Sequence, residues 1–165
     1  MKFFKMKLKK AIGNTPLIKI NDHLYAKLEA YNPSGSIKDR MAHYIISKAI
    51  ERKELENKNT IVEASSGNTG IAFAMIGAVK RLKVKIIMPS NMSCERKQMM
   101  EAYGAEIIEV GPNDFKAAIK LRDKLCEENE NYYCPKQFSN PDNIECHELT
   151  TGREIATSLF FENIV

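Results

Sequence analysis

The sequence predicts an α/β fold, a three-layer αβα sandwich around a mostly parallel sheet. Short β-branched or apolar runs alternate with helix-period stretches of ten or more residues, and that alternation implies βαβ units with parallel strands. The strands are apolar on more than one face, as in Ile61-Val62 and Val84-Lys85-Ile86-Ile87-Met88, which suits strands covered by helices on both sides. With 165 residues, 44% apolar and 28% charged, the chain is long enough to bury a full core.

Taken in order, the first ten residues hold Lys2, Lys5, Lys7, Lys9 and Lys10, five of the charges behind a net +4, which leaves the rest of the chain at about −1. They read as a solvated, frayed terminus. Two strand-like runs, 16–20 and 24–28, flank the turn-forming Asn21-Asp22-His23 and predict a hairpin. After a loop at 33–36, Met41, Ile45 and Ala49 interleave with Ala42, Ile46 and Ile50 on one helical face, predicting a helix from Lys38 to about Leu55. A strand at 60–64, an apolar helix at 68–82 and a strand at 84–88 ended by Pro89 follow. The pattern repeats with a helix at 93–103, a strand at 105–110, a helix at 113–130 capped by Asn113 or Asp114, and a last helix starting near Thr151.

Several function classes are disfavoured by composition. The four cysteines form no C-x-x-C pair and the three histidines fit no zinc spacing, so no metal site is expected. The cysteines read as reduced thiols in a chain with no secretory leader. No stretch approaches the ~20 apolar residues that span a bilayer, and the chain reads as soluble and cytoplasmic. Gly67-Asn68-Thr69-Gly70 matches the bare G-x-x-G of an RNA-binding KH loop, but it carries no basic residue and sits in a near-neutral body, so nucleic acid is not expected. Neither a Walker A sequence nor G-x-G-x-x-G occurs.

Two loops carry the chemistry. Ser65-Ser66-Gly67-Asn68-Thr69-Gly70 follows a strand and opens a helix, where unpaired N–H groups and the positive dipole end suit a carboxylate or phosphate. Ser and Asn also serve as ordinary helix caps, and both readings stand on this loop alone. The other loop, Asn32-Pro33-Ser34-Gly35-Ser36-Ile37-Lys38-Asp39-Arg40, puts a lysine at a helix start. A lysine there is most often a solvated one, yet the positive end of a helix favours the neutral, nucleophilic form of an amine. Such an amine can condense with the carbonyl of a cofactor.

N-P-S-G-S-I-K-D-R at 32–40 and S-S-G-N-T-G at 65–70, with I-G-N-T-P-L at 12–17 and Q-F at 137–138, resemble the cysteine synthase (O-acetylserine sulfhydrylase) branch of the fold-type II pyridoxal-phosphate enzymes. The likeness continues through Met88-Pro89, Glu95-Arg96, Ala102-Tyr103-Gly104-Ala105-Glu106, Asn140-Pro141 and Thr150-Thr151-Gly152, covering nearly everything from Ile12 to Ile155. It implies that Lys38 carries pyridoxal 5'-phosphate through a Schiff-base linkage and serves as the base for the α-proton. Asn68 would bond the ring's phenolic oxygen, and Ser65, Ser66, Gly67, Thr69 and Gln137 would hold the substrate carboxylate. The implied reaction is β-replacement, O-acetyl-L-serine and sulfide giving L-cysteine.

By the same resemblance the chain divides into a basic terminus and hairpin (1–34), the small αβα domain of the fold (35–148) and the start of a larger domain (149–165). Dehydratases of the fold carry an S-F-K lysine motif and a G-N-H loop, unlike Ile37-Lys38 and Asn68-Thr69 here. Cystathionine β-synthase shares these motifs, and a cysteine-degrading lyase stays open beside it, as does a non-catalytic small-anion or partner-binding module. The family's glycine-rich phosphate loop, G-x-G-G-T, is not found in the sequence, and Arg153 stands where the family has proline. The expectation is a truncated or split form whose hairpin lacks its covering surface. Its expected partners are a second copy or a separate C-terminal half, and, by resemblance, a serine acetyltransferase.

Overall fold

The computed structural model describes residues 8–162. β1 (Leu17–Asn21) and β2 (Leu24–Lys27) form the expected antiparallel hairpin. The main sheet has four parallel strands, β3 (Thr60–Ala64), β4 (Lys83–Pro89), β5 (Glu106–Val110) and β6 (Tyr132–Tyr133), in the order β5-β4-β3-β6. The helices are α1 (Leu8–Ala11), α2 (Lys38–Glu51), α3 (Asn68–Lys80), α4 (Cys94–Ala102), α5 (Phe115–Glu128), α6 (Pro141–His147) and α7 (Arg153–Glu162). This is the parallel αβα arrangement that the alternating sequence pattern requires.

Helices cover both faces. On one, α2, α3 and Met100 of α4 pack with Ile61, Val84, Ile86 and Met88. On the other, Ala118 and its α5 neighbours Ile119, Leu121 and Leu125 pack with Val62, Ala64 and Ile87. The middle helix, α3, is buried from Thr69 through Gly77, which explains why it is apolar all round. A Cβ on Gly77 would lie 2.2 Å from Val84 Cγ2, so only glycine lets α3 approach β4 this closely.

The chain moves from β3 to β4 to β5 in one direction, then returns through α5 to set β6 on the free side of β3. Strand order therefore reverses at β3, and ligands of open α/β sheets bind beyond the carboxyl ends of strands at such a point. β6 pairs with β3 only at Thr60 and Ile61. Past Ile61 the 134–137 segment runs beside the end of β3 in place of a strand.

Several boundaries differ from the sequence reading. The first long helix ends at Glu51 rather than near Leu55, because Lys53 turns left-handed (φ 61°). Its N–H bonds Ile50 O at 3.1 Å and that of Glu54 bonds Ala49 O at 2.8 Å, closing a Schellman motif. Arg81 (φ 59°) ends α3 the same way, two residues before the expected stop. The last helix starts at Arg153 after a π-helical turn, Glu148–Gly152, in which the Thr150 hydroxyl donates to Cys146 O at 2.7 Å. Asp114 rather than Asn113 caps α5, its carboxylate accepting the Ala117 N–H at 2.8 Å. Within the terminus read as frayed, residues 8–11 form a helical turn, and Leu8 and Ile12 pack against the core; residues 1–7 lie outside the described part. Among the described residues no helix is long and apolar enough to cross a membrane.

Candidate active site

The 32–40 loop is folded by its own polar residues. Gly35 takes φ +88°, a turn conformation suited to glycine, and its N–H bonds Asn32 O at 2.8 Å. Asn32 accepts the Gly13 N–H at 2.9 Å and donates to Glu29 Oε2 at 2.7 Å. The buried Asp39 carboxylate accepts the Ser34 N–H at 2.6 Å and also the Ser34 hydroxyl; burial pushes its pKa up, against those two bonds. Ser36 Oγ accepts the Lys38 N–H at 3.2 Å. Together these contacts fix the backbone of Lys38 at the first turn of α2, while no carboxylate among the described residues pairs with its amine.

Arg40, two residues on, is buried and bonds Glu29 (Nε to Oε2, 2.7 Å) and Glu154 (2.6 and 2.8 Å). Lys27 joins the cluster, 2.7 Å from Glu154 Oε2. The network ties hairpin, α2 and α7 together behind Lys38. Burial opposes ionisation of Glu154, but bonds from Arg40 and Lys27 outweigh it and hold that carboxyl at about 2. His147 lies on the same side; burial, and then the charges of Lys38 and Arg40, hold it below its ordinary value, and its Nδ1 is 3.0 Å from Thr151 Oγ1.

The second loop leaves β3 and opens α3. Ser65 Oγ accepts the N–H groups of Gly67 (3.3 Å) and Gly70 (2.9 Å), a capping role that leaves its own proton free to donate. The N–H groups at the start of α3 have no intrahelical acceptor. Thr69 donates to Gln137 Oε1 at 2.7 Å, and Gln137 Nε2 donates to Ala64 O at 3.2 Å, so residue 137 is fastened to the loop from across the sheet.

Lys38, Ser65, Ser66, Gly67, Asn68, Thr69 and Gln137, all singled out from the sequence, line one cleft of about 510 Å³ at the carboxyl end of β3. That volume suits a small molecule. Arg96, Phe115 and Phe138 line it as well, none of them assigned to the site from sequence; Arg96 NH1 donates to Ser66 O at 3.3 Å. No aspartate or glutamate appears among the lining residues. An amine, an arginine, two carboxamides and the hydroxyls of Ser65 and Ser66, with no acid, form a donor set for an anionic ligand, and the Lys38 amine is the group there that can condense with a carbonyl. A larger cavity, about 760 Å³, lies between hairpin, α2 and α7, but its central charges, Arg40, Lys27 and Glu154, already satisfy one another.

Fold and site thus define an α/β protein in which a lysine at one helix start and the polar loop at another line a single cleft. The sequence matches the family model "Pyridoxal-phosphate dependent enzyme" over residues 8–164, and the chain belongs to that family. It is 47% identical over 152 residues to a cysteine synthase of a Flavobacterium species, which covers 87% of this chain and 49% of the relative. A hydrogen sulfide-producing enzyme of Fusobacterium nucleatum superposes with TM-score 0.85 at 42% identity, covering 93% of this chain and 54% of that one. An O-acetylserine dependent cystathionine β-synthase of Helicobacter pylori gives TM-score 0.87 at 36% identity, covering 96% and 55%. The fold is that of fold-type II pyridoxal-phosphate enzymes. The chain spans about half the length of the curated relatives it matches.

Proposed function

We propose that this chain supplies the lysine-bearing wall of a β-replacement site that makes L-cysteine and acetate from O-acetyl-L-serine and sulfide. One observation carries the reading: the Lys38 amine and the anion cradle meet in a single cleft that no carboxylate lines. The cofactor fits this donor set, with Lys38 for its aldehyde and Asn68 for its phenolic oxygen. Pyridoxal phosphate, when bound, supplies the aldehyde and the ring that takes up the electron pair left at the substrate's Cα.

The rest is done by the chain's own residues. The hydroxyls of Ser65 and Ser66, the backbone around Gly67, the Thr69 N–H at the helix start and the spare N–H of Gln137 hold the substrate carboxylate, which orients the Cα–H bond, while the Thr69 hydroxyl, its proton given to Gln137 Oε1, sets the orientation of that carboxamide. The Lys38 amine takes the Cα proton and later returns it. Acetate leaves Cβ and sulfide adds there. We assign residues 1–34 to the terminus and hairpin, 35–148 to the small domain and 149–165 to the start of a larger one, which in this reading holds the cofactor phosphate.

The test begins with pyridoxal phosphate alone. The chain should develop an absorption band of bound cofactor, borohydride should fix the adduct on Lys38, and Lys38→Ala should abolish both. A band that survives in that variant would sink the assignment. Adding the second half of a cysteine synthase in trans should raise turnover of O-acetylserine and sulfide; no gain would argue against a split enzyme and for an anion- or partner-binding module. The Helicobacter pylori neighbour supports a second reading, in which a thiol amino acid replaces sulfide, and product analysis with both nucleophiles present separates the two.

A further inference from the structure

Glu63 is fully buried in β3 yet carries a carboxylate. Each of its recorded partners is a donor: Oε1 accepts the Ala64 N–H at 2.9 Å and Arg122 NH1 at 2.9 Å, and Oε2 accepts the Gln137 N–H at 3.0 Å. Arg122, on α5, is itself buried. A buried ion pair adds little net stability over apolar residues of the same volume, because both charges lose their hydration. Its geometry, by contrast, is specific. β6 leaves β3 after Ile61, and at that place Glu63 takes the Gln137 N–H while the Gln137 side chain donates to Ala64 O. Two side chains finish the edge of β3 where the strand ladder stops.

We infer that Glu63, held by Arg122, is a positioning residue for the substrate carboxylate. It fixes the backbone of Gln137 so that the side chain's oxygen meets Thr69 and one N–H meets Ala64, which leaves the second N–H as the donor toward the cleft. The inference rests on the reading of Gln137 as a carboxylate-holding residue. Only an acceptor suits the three donors around Glu63. Glutamine there would press an NH₂ against one of them.

The test uses the full chain, labelled with ¹⁵N, and L-serine as the probe. Glu63→Leu/Arg122→Met replaces the pair by apolar residues and leaves the Ala64 and Gln137 N–H groups without their acceptor, so it should fold with a urea midpoint below that of wild type. In that variant the Gln137 amide should lose its protection from hydrogen exchange while amides within α3 keep theirs, and L-serine should bind about tenfold more weakly. A folded double variant with Gln137 still protected, or with wild-type affinity for L-serine, overturns the inference. Should the double variant fail to fold, Glu63→Gln decides: loss of protection confined to Gln137 and Thr69 supports positioning, whereas unchanged protection, or a uniform loss across the core, defeats it. If the wild-type chain does not bind L-serine, the reading of the cradle fails instead, and the Gln137 exchange rate still judges the role of Glu63.

Discussion

Ser65 accepts two backbone N–H groups at the start of α3 while its proton stays available, so one hydroxyl both caps a helix and faces the cleft. Ser65→Ala should therefore cost about 1 kcal/mol of stability, read from urea unfolding, and weaken anion binding as well. Ser65→Thr should keep the larger part of both, and an alanine variant as stable as wild type would show the cap to be idle. Lys38 is different. Its amine has no carboxylate partner among the described residues, so Lys38→Ala should stay within about 0.5 kcal/mol of wild type even as it loses the cofactor. A large destabilisation would mean that the amine is structural. The two loops were legible in the sequence because helix starts concentrate Ser, Asn and Gly, and because a lysine among small residues is conspicuous. Glu63 was not. A carboxylate inside a short strand carries no local sign of its partner, and Arg122 lies 59 residues away. Arg96, Phe115 and Phe138 look like surface residues of α4, α5 and a loop until the fold gathers them at one cleft.

The helices and strands depend on a few close approaches. Gly77 lets α3 sit on Val84, and although alanine is the better helix former, a Cβ 2.2 Å from Val84 Cγ2 must push helix and strand apart. Gly77→Ala should lose about 1–2 kcal/mol net by urea unfolding, and a gain in stability would show that α3 can shift freely. The contact between α7 and the hairpin is electrostatic and should respond to acid. Glu154 titrates near 2 in the folded chain against an ordinary 4.5, so the stability it contributes is complete above about 4.5 and fades as the pH falls toward 2. Urea midpoints measured between pH 5 and 2 should decline more steeply for wild type than for Glu154→Gln; parallel curves would remove Arg40 and Glu154 as the source. Local periodicity made α2, α3, α4 and α5 readable, with errors at ends set by left-handed residues such as Lys53 and Arg81. β6 has only two residues, too short to show a period. α6 did carry a signal, Asn140 capping at 2.9 Å to the Asp142 N–H with Pro141 in the first turn, but its seven residues are too few for a clear apolar face.

The αβα core closes on itself, whereas the hairpin does not. Ile18, Ile20 and Leu24 are 40%, 54% and 53% exposed, so an apolar strip runs along β1 and β2 while the ion network of Arg40 anchors the hairpin from behind. Exposed apolar surface that is contiguous and rigidly held marks an interface. We propose that the strip is an interface and that, in a solution of this chain alone, the strip of a second copy covers it. Sedimentation equilibrium should show a mass that rises above 18.7 kDa with concentration. Ile20→Lys/Leu24→Lys should hold the chain at the monomer mass without altering its unfolding midpoint, since both side chains are already more than half in water. The second half of a cysteine synthase, added in trans, should compete with self-association if it covers the same strip, and it should fail to bind the double lysine variant. A wild-type chain that stays monomeric at high concentration, or a lysine variant that still associates, would place the interface elsewhere.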